Sequence, residues 1–253
     1  MPIFTWVSSV ILAFLVTIIA IFFLQYPARH WGWVDEPDQR KQHQGSVPLI
    51  GGVAMFIALA TAMPTLQASL EPCFGLLAGT LVVVATGVYD DFHESRASTR
   101  FLAQITATLL IVFYDGVVID DLGALLSHND MIKLDGWSIP FTLFCVVGVI
   151  NAINMSDGLD GLAGGFGIIA VLWLIISLLL FGQPGPELNM LIVLTAVLSG
   201  FLCFNLRHPW RRRATVFMGD AGSMMVGLML AWFFIRLSQG EQRAFAPISA
   251  VWI

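Results

Sequence analysis

Residues 151–165 read N-A-I-N-M-S-D-G-L-D-G-L-A-G-G and separate two long apolar runs, 139–153 and 166–181. Polar side chains recur at every third position of this stretch: Asn151, Asn154, Asp157 and Asp160. At 3.6 residues per turn, side chains with this spacing share one face of a helix, although the face winds gradually. One Asp at the centre of a bilayer costs roughly 2.5–3.5 kcal/mol. The pattern therefore predicts a helix that leaves the membrane and gathers polar groups around a ligand; the alternative is an ordinary loop with an Asp helix cap.

The composition of the 253-residue chain is that of an integral membrane protein. Hydrophobic residues make up 57% and charged residues 11%, with a mean hydropathy of +0.82, whereas soluble domains carry about a quarter charged residues. No basic surface with interleaved aromatic residues is evident, so nucleic acid is not an expected partner. We predict a single transmembrane domain over residues 1–253.

Eight segments are long and apolar enough to span a bilayer, which needs about 20 residues per helix. They are 3–25, 47–67, 73–89, 99–119, 138–155, 162–181, 188–206 and 221–237. A ninth apolar segment begins near Pro247 and stops at Ile253. It predicts the start of a ninth helix, and we interpret the chain as truncated at its C-terminal side. The predicted fold class is all-α, a polytopic membrane helix bundle.

The basic residues predict the orientation of the bundle. Nine of the 12 Lys and Arg residues lie in or beside the loops on one side, which are 26–46, 90–98, 156–161 and 207–220. The positive-inside rule makes this side cytoplasmic and places the N-terminus outside. Acids on the opposite side, among them Asp121 and Glu187, are interpreted as solvated surface.

An acidic pair on the cytoplasmic side is typical of a metal site. Asp90 and Asp91 end the third span, and adjacent carboxylates repel each other unless a cation or a shared proton intervenes. Mg²⁺ usually takes one or two carboxylates together with substrate phosphates. The alternative is a solvated acidic loop.

Residues 207–223, R-H-P-W-R-R-R-A-T-V-F-M-G-D-A-G-S, lead from basic side chains into the last span. Asp220 lies where a helix N-terminus favours anions and metal-bound phosphates, although it could simply cap that helix. Lys41 and His43 in the first loop offer a cation and a donor to a phosphate; attraction to anionic lipid, at about 1 kcal/mol per basic residue, is the alternative. Together these groups indicate a nucleotide-diphosphate site at the lipid boundary.

At these residues the chain resembles the polyprenyl-phosphate N-acetylhexosamine-1-phosphate transferases, which form glycosyltransferase family 4. Within that family it looks most like the bacterial undecaprenyl-phosphate N-acetylglucosamine-1-phosphate transferase branch. The resemblance rests on R-K-Q-H-Q-G-S-V-P-L-I-G-G (40–52), Y-D-D (89–91), the 151–165 stretch, F-N-L-R (204–207) and V-F-M-G-D-A-G-S (216–223). In that branch Asp-Asp is followed by another Asp, whereas this chain continues with Phe92-His93-Glu94. The chain also lacks the family's later histidine-rich loop.

The resemblance implies a reaction and its setting. A lipid phosphate would attack the β-phosphorus of a UDP-N-acetylhexosamine in one or two steps, releasing UMP and leaving undecaprenyl diphosphate-linked sugar for O-antigen or other cell-envelope polysaccharide. It further implies Mg²⁺, for which Mn²⁺ can substitute, and a homodimer. The enzyme would lie in the bacterial inner membrane with its active site on the cytoplasmic face.

The resemblance also implies a role for each matching residue. Asp220 and Asp91 would bind the metal ion, and Asp90 would deprotonate or orient the lipid phosphate. Asp157 would lie beside the metal ion and the diphosphate, and Asp160 completes the set of catalytic carboxylates.

A uridine pocket is the second implied part of the site. Asp160, Asn205 and Phe217 would form it, with Phe217 against the uracil face. The remaining predicted substrate contacts are Lys41, His43, Asn154 and Arg213.

Other classes of protein remain open at this point. Tyr89-Asp90 and Gly219-Asp220 echo the paired motifs of intramembrane aspartyl proteases, although Phe217 stands where such a protease has glycine. A transporter of an anionic solute would place its charges near the midplane within inverted repeats, whereas these acids cluster at one side. An inactive fragment of a transferase is the third alternative.

Overall fold

The computed structural model describes residues 3–36, 45–66, 73–93, 95–124, 132–209, 211–240 and 243–252. Within them the chain forms the helices α1 (Ile3–His30), α2 (Gly51–Ala62), α3 (Phe74–His93), α4 (Ala97–Asp115), α5 (Ser138–Ser156), α6 (Leu162–Phe181), α7 (Pro186–Asn205) and α8 (Gly219–Ser238). Two short antiparallel strands, β1 (Val34–Asp35) and β2 (Val47–Pro48), lie between α1 and α2 in the sequence.

Seven of the described helices, all except α2, are long and apolar enough to cross a membrane. The predicted fold class, a polytopic bundle of membrane helices, is therefore confirmed. The second predicted span, 47–67, differs from the structure because Val47 and Pro48 pair with β1, so the helix begins only at Gly51. It ends at Ala62 and continues as a 3-10 turn, Met63–Leu66. Where a ninth helix is predicted to begin, the chain forms another 3-10 turn, Pro247–Trp252.

Helix α8 is the centre of the bundle, and almost all of its residues are buried. A helix that is apolar on every side is typical of such a position. It packs against α2, α3, α5 and α6, and small residues allow the closest approaches. A Cβ atom on Gly52 of α2 would overlap the backbone of Gly222, and one on Gly87 of α3 would overlap the backbone of Ala221. The first turn of α8 is therefore held tightly between α2 and α3.

At the opposite end of the bundle, Asp115 connects three helices. This last residue of α4 accepts hydrogen bonds from the backbone N–H groups of Gly75 (2.6 Å) and Leu76 (2.8 Å) at the start of α3. It also accepts one from Nε1 of Trp232 on α8, at 2.8 Å. The carboxylate satisfies N–H groups that the start of a helix otherwise leaves unpaired.

We expect Asp115→Ala to lower the free energy of unfolding by about 2–4 kcal/mol, because it leaves three donors without their charged acceptor. Thermal or denaturant unfolding in detergent micelles measures the change. Asp120→Ala, an exposed acid on the same side of the bundle, is the control, and its effect should stay below about 0.5 kcal/mol. Equal stability of the two variants would contradict the proposed role of Asp115.

Two of the acids predicted to be solvated surface on this side also have basic partners. Glu187 lies 3.2 Å from Nε of Arg236 and Asp121 lies 3.9 Å from Arg243, and each acidic side chain is about one-fifth exposed. The folded chain brings these basic residues from α8 and from the segment after it, so local sequence could not show the pairing.

Candidate active site

The carboxylates singled out in the sequence meet at the N-terminus of α8. Asp91 of α3 accepts hydrogen bonds from the backbone N–H groups of Asp220 (2.9 Å) and Ala221. Asp157, which follows α5, accepts one from the backbone N–H of Gly219. The positive end of the helix dipole favours negative charge at this point. Asp91 and Asp157 thus cap α8 from neighbouring segments, while Asp220 lies in its first turn.

Asp220 does not cap its own helix; donors from two other helices hold its side chain. Its Oδ1 accepts a hydrogen bond from Nδ2 of Asn154 at 2.7 Å, and its Oδ2 accepts one from Nη1 of Arg100 at 3.0 Å. Nδ2 of Asn154 also donates to Oγ of Ser223, at 2.8 Å. Asn154, predicted as a substrate contact, therefore lies directly beside a predicted metal ligand and orients it.

Asp90 is buried next to this group. Its Oδ1 accepts a hydrogen bond from the backbone N–H of Ser95 at 2.6 Å, and its Oδ2 lies 3.2 Å from Nη1 of Arg100. Arg100 thus contacts both Asp90 and Asp220. In the sequence, Arg100 counts only among the basic residues beside the 90–98 loop, because its position ten residues after Asp90 does not indicate that the two side chains meet.

Next to the carboxylates, a polar pair extends the network into the bundle. Oε1 of Gln104 on α4 accepts a hydrogen bond from Nδ2 of Asn151 on α5 at 2.8 Å, and Gln104 itself is fully buried. Such contacts between membrane helices contribute about 0.6–2 kcal/mol. Sequence reasoning missed Gln104, although a glutamine inside an apolar span was a usable signal.

The residues of the implied uridine pocket also come together. Asn205 is buried; its Oδ1 accepts from the backbone N–H of Gly161 (2.8 Å) and its Nδ2 donates to the carbonyl of Val216 (3.0 Å). Oδ2 of Asp160 accepts from Nε of Arg207 (2.7 Å) and from the backbone N–H of Ala214 (2.9 Å). Asn205 and Asp160 therefore fasten the glycine-rich turn before α6 to the segment that leads into α8.

Phe217 lies in that segment and is half-buried. Its backbone N–H donates to the carbonyl of Pro48 (2.9 Å) and its carbonyl accepts from the N–H of Gly51 (3.0 Å). Arg213 is exposed. Lys41 and His43 lie outside the described residues, as does Glu94.

The donor set fits a divalent cation with a limited number of protein ligands. The described part of the chain contains no group of three or more His, Cys, Asp or Glu side chains within metal-binding reach. Mg²⁺ commonly takes one or two carboxylates and completes its shell with water and substrate phosphates. Oδ2 of Asp91 is buried without a hydrogen-bond partner in the structure, beside the same helix end as Asp220. This oxygen and the carboxylate of Asp220 are suitable ligands for such an ion.

Burial raises the pKa of Asp157 from 3.8 to about 8, and repulsion by Asp220 adds to the effect, while the Gly219 N–H opposes it. The folded protein thus retains this proton to a higher pH than the unfolded chain does. Without metal, the contribution of Asp157 to stability is complete below pH 3.8 and is lost as the pH rises through about 8.

We therefore expect the unfolding temperature in EDTA to fall more steeply between about pH 5 and pH 8 in the wild type than in Asp157→Asn, which cannot titrate. Thermal unfolding of both proteins in matched buffers measures the difference. Superimposable pH profiles would contradict a raised pKa at Asp157.

Comparison with known proteins gives the class of the molecule. The family model for glycosyl transferase family 4 matches residues 73–238, which contain the whole carboxylate cluster. The chain is 30% identical to the undecaprenyl-phosphate alpha-N-acetylglucosaminyl 1-phosphate transferase of Escherichia coli K12, over all of this chain and 68% of that protein. It is 31% identical to the protein of the same name from Yersinia pestis, with the same coverage. A probable undecaprenyl-phosphate N-acetylglucosaminyl 1-phosphate transferase of Bacillus subtilis is 30% identical over 88% of this chain and 61% of its own length.

The chain therefore belongs to glycosyl transferase family 4 and is a phosphoglycosyltransferase. The resemblance inferred from the motifs is confirmed, and the intramembrane protease and the transporter lose their support.

Proposed function

We propose that this protein transfers N-acetylglucosamine 1-phosphate, or a related N-acetylhexosamine 1-phosphate, from the UDP-sugar to undecaprenyl phosphate and releases UMP. The names of the relatives support the acceptor and the transferred group. The observation that carries the proposal is the convergence of Asp90, Asp91, Asp157 and Asp220 at the N-terminus of one central helix.

Phosphoryl transfer depends mostly on positioning and on neutralising charge, and the cluster suits both tasks. Asp220 and Asp91 would hold Mg²⁺, or Mn²⁺ in its place, and the bound ion would neutralise charge on the diphosphate. Asp90, fixed by the N–H of Ser95 and by Arg100, would orient the lipid phosphate. A phosphate that is already ionised needs little help from a general base, so positioning is the main task of Asp90.

Donor recognition would take place beside the cluster. The turn that Asp160 and Asn205 fasten lies next to the segment of Phe217, whose ring is half-buried and could stack on uracil. Asn154, Lys41, His43 and Arg213 remain proposed contacts to the diphosphate and the sugar.

An apolar groove supports the choice of acceptor. It has a volume of about 630 Å³ and lies between α5, α6 and α8, where apolar side chains such as Phe144, Trp173 and Phe234 line it. One end reaches Ser156, the residue before Asp157. A polyprenyl chain in this groove would bring its phosphate to the carboxylates.

The proposed setting is the bacterial inner membrane, with the site at the cytoplasmic face and the N-terminus outside. The basic residues near the site support this orientation through the positive-inside rule. The product would enter O-antigen or another cell-envelope polysaccharide, and a homodimer is part of the proposal.

The test is an assay of the purified protein in detergent with Mg²⁺, undecaprenyl phosphate and either UDP-N-acetylglucosamine or UDP-N-acetylgalactosamine. We expect UMP release together with an equal amount of lipid-linked sugar diphosphate detected by mass spectrometry. EDTA should stop the reaction, Mn²⁺ should restore it, and Asp120→Asn should leave it unchanged. Binding of UDP-sugar without product would indicate the inactive fragment, and solute uptake into proteoliposomes without product would indicate a transporter.

A further inference from the structure

A single nitrogen atom of Arg100 lies between carboxylates from two helices. Nη1 is 3.0 Å from Oδ2 of Asp220 on α8 and 3.2 Å from Oδ2 of Asp90 on α3. The Arg100 side chain is 34% exposed, whereas those of Asp90 and Asp220 are 9% and 24% exposed. The guanidinium therefore places a positive charge against both carboxylates, which also contact each other.

This contact occupies Oδ2 of Asp220, one of the two oxygens through which that carboxylate would bind a metal ion. The other oxygen of Asp220, Oδ1, accepts the short hydrogen bond from Asn154. A cation that binds Asp220 directly therefore approaches oxygens that already accept hydrogen bonds, and it competes with one of these two donors. Arg100 is charged and would be repelled by the arriving cation, whereas the neutral amide of Asn154 is also anchored to Ser223.

We propose that Arg100 is the resident counter-ion of the free enzyme, and that it competes with the divalent cation for Asp220. It holds Asp90 and Asp220 together until the cation arrives, and it then leaves Asp220. Arg100 is thus a positioning residue that sets the affinity for the cation. This inference rests on the proposed function only in requiring that the cation bind Asp220.

The direction in which a neutral substitution of Arg100 changes the affinity for the cation distinguishes this role from a purely structural one. Arg is permanently charged, so replacing it with a neutral residue removes a positive charge from beside two carboxylates and strengthens their attraction for a divalent cation. Interactions between charges about 4 Å apart near a protein surface are large enough for a change of at least about tenfold. If Arg100 only held the carboxylates in position, its loss would increase their disorder and weaken cation binding.

The experiment measures Mn²⁺ binding by electron paramagnetic resonance on the full chain in detergent micelles, without nucleotide. We expect Arg100→Gln and Arg100→Met to bind Mn²⁺ at least about tenfold more tightly than the wild type. Arg100→Lys, which keeps the charge, should change affinity by less than about threefold. The matched control is Arg96→Gln, which removes an exposed charge one turn earlier in the chain and should also stay within about threefold.

Unchanged or weaker Mn²⁺ binding in a folded Arg100→Gln or Arg100→Met protein would overturn the inference. Thermal unfolding identifies the folded variants, and the Met variant keeps the length of the side chain if the Gln variant does not fold. Asp220→Asn distinguishes failure of the inference about Arg100 from failure of the proposed metal site. If it abolishes Mn²⁺ binding while the neutral Arg100 variants bind no more tightly, only the role of Arg100 fails. If it binds Mn²⁺ as the wild type does, the proposed metal site fails as well.

Discussion

Asp220→Asn is expected to lower the rate of UMP release by at least about 10³-fold while the protein remains folded. Losing one preorganised electrostatic contact to a reacting group typically costs about 10²–10³-fold, and Asp220 is both the proposed metal ligand and the partner of Arg100 and Asn154. Asn has nearly the same shape, so the packing of α8 should persist. Steady-state assays at saturating Mg²⁺, with thermal unfolding in parallel, measure both properties.

The control for this prediction is Asp120→Asn, the same chemical change in an exposed residue at the opposite end of the bundle. Its activity should stay within about twofold of the wild type. An Asp220→Asn protein that retains more than a tenth of wild-type activity would show that catalysis does not depend on this carboxylate.

Gly87→Ala is expected to reduce activity about 100-fold through geometry alone. A Cβ atom at this position would overlap the N and Cα atoms of Ala221 in the first turn of α8. Backbone atoms cannot rotate aside, so α3 must move away, and Asp90 and Asp91 lie one turn further along it. Misplacing a catalytic group by about 1 Å can cost about 10²-fold. The same UMP assay measures the loss.

Gly79→Ala on the same helix is the matched control, because its new Cβ would lie 3.1 Å from the Ala107 carbonyl on α4, away from the site. Both variants should lose stability, by about 1–3 kcal/mol, but Gly79→Ala should keep activity within about threefold. Equal activity of the two variants would mean that the contact between α3 and α8 does not set the geometry of the site.

The helix bundle could be predicted from sequence because an apolar run of about 20 residues is typical of a transmembrane helix. The predicted span 162–181 has the same limits as α6, and 221–237 lies within α8. The span 47–67 was less accurate because its first two residues, Val47 and Pro48, pair with the strand Val34–Asp35. Hydropathy does not reveal that pairing.

The gathering of the acidic residues was also predictable, because basic residues assigned the loops to one side without reference to the acids. The hydrogen-bond partners of the polar side chains could not be predicted in the same way. Asp115 and Arg100 act through groups on other helices, Gly75 and Asp220, that lie 40 and 120 residues away in sequence. A lone Asp at the end of a span and an Arg at the start of one look like ordinary boundary residues. Only the packed structure assigns them partners.

The central claim is that one divalent cation binds between Asp91 and Asp220 at the start of α8. The most direct test is a crystal of the full chain grown with Mn²⁺ and examined by anomalous diffraction. We predict one strong peak about 2–2.3 Å from Oδ2 of Asp91 and from a carboxylate oxygen of Asp220. A peak more than about 4 Å from either carboxylate, or no peak under conditions that support activity, would contradict it.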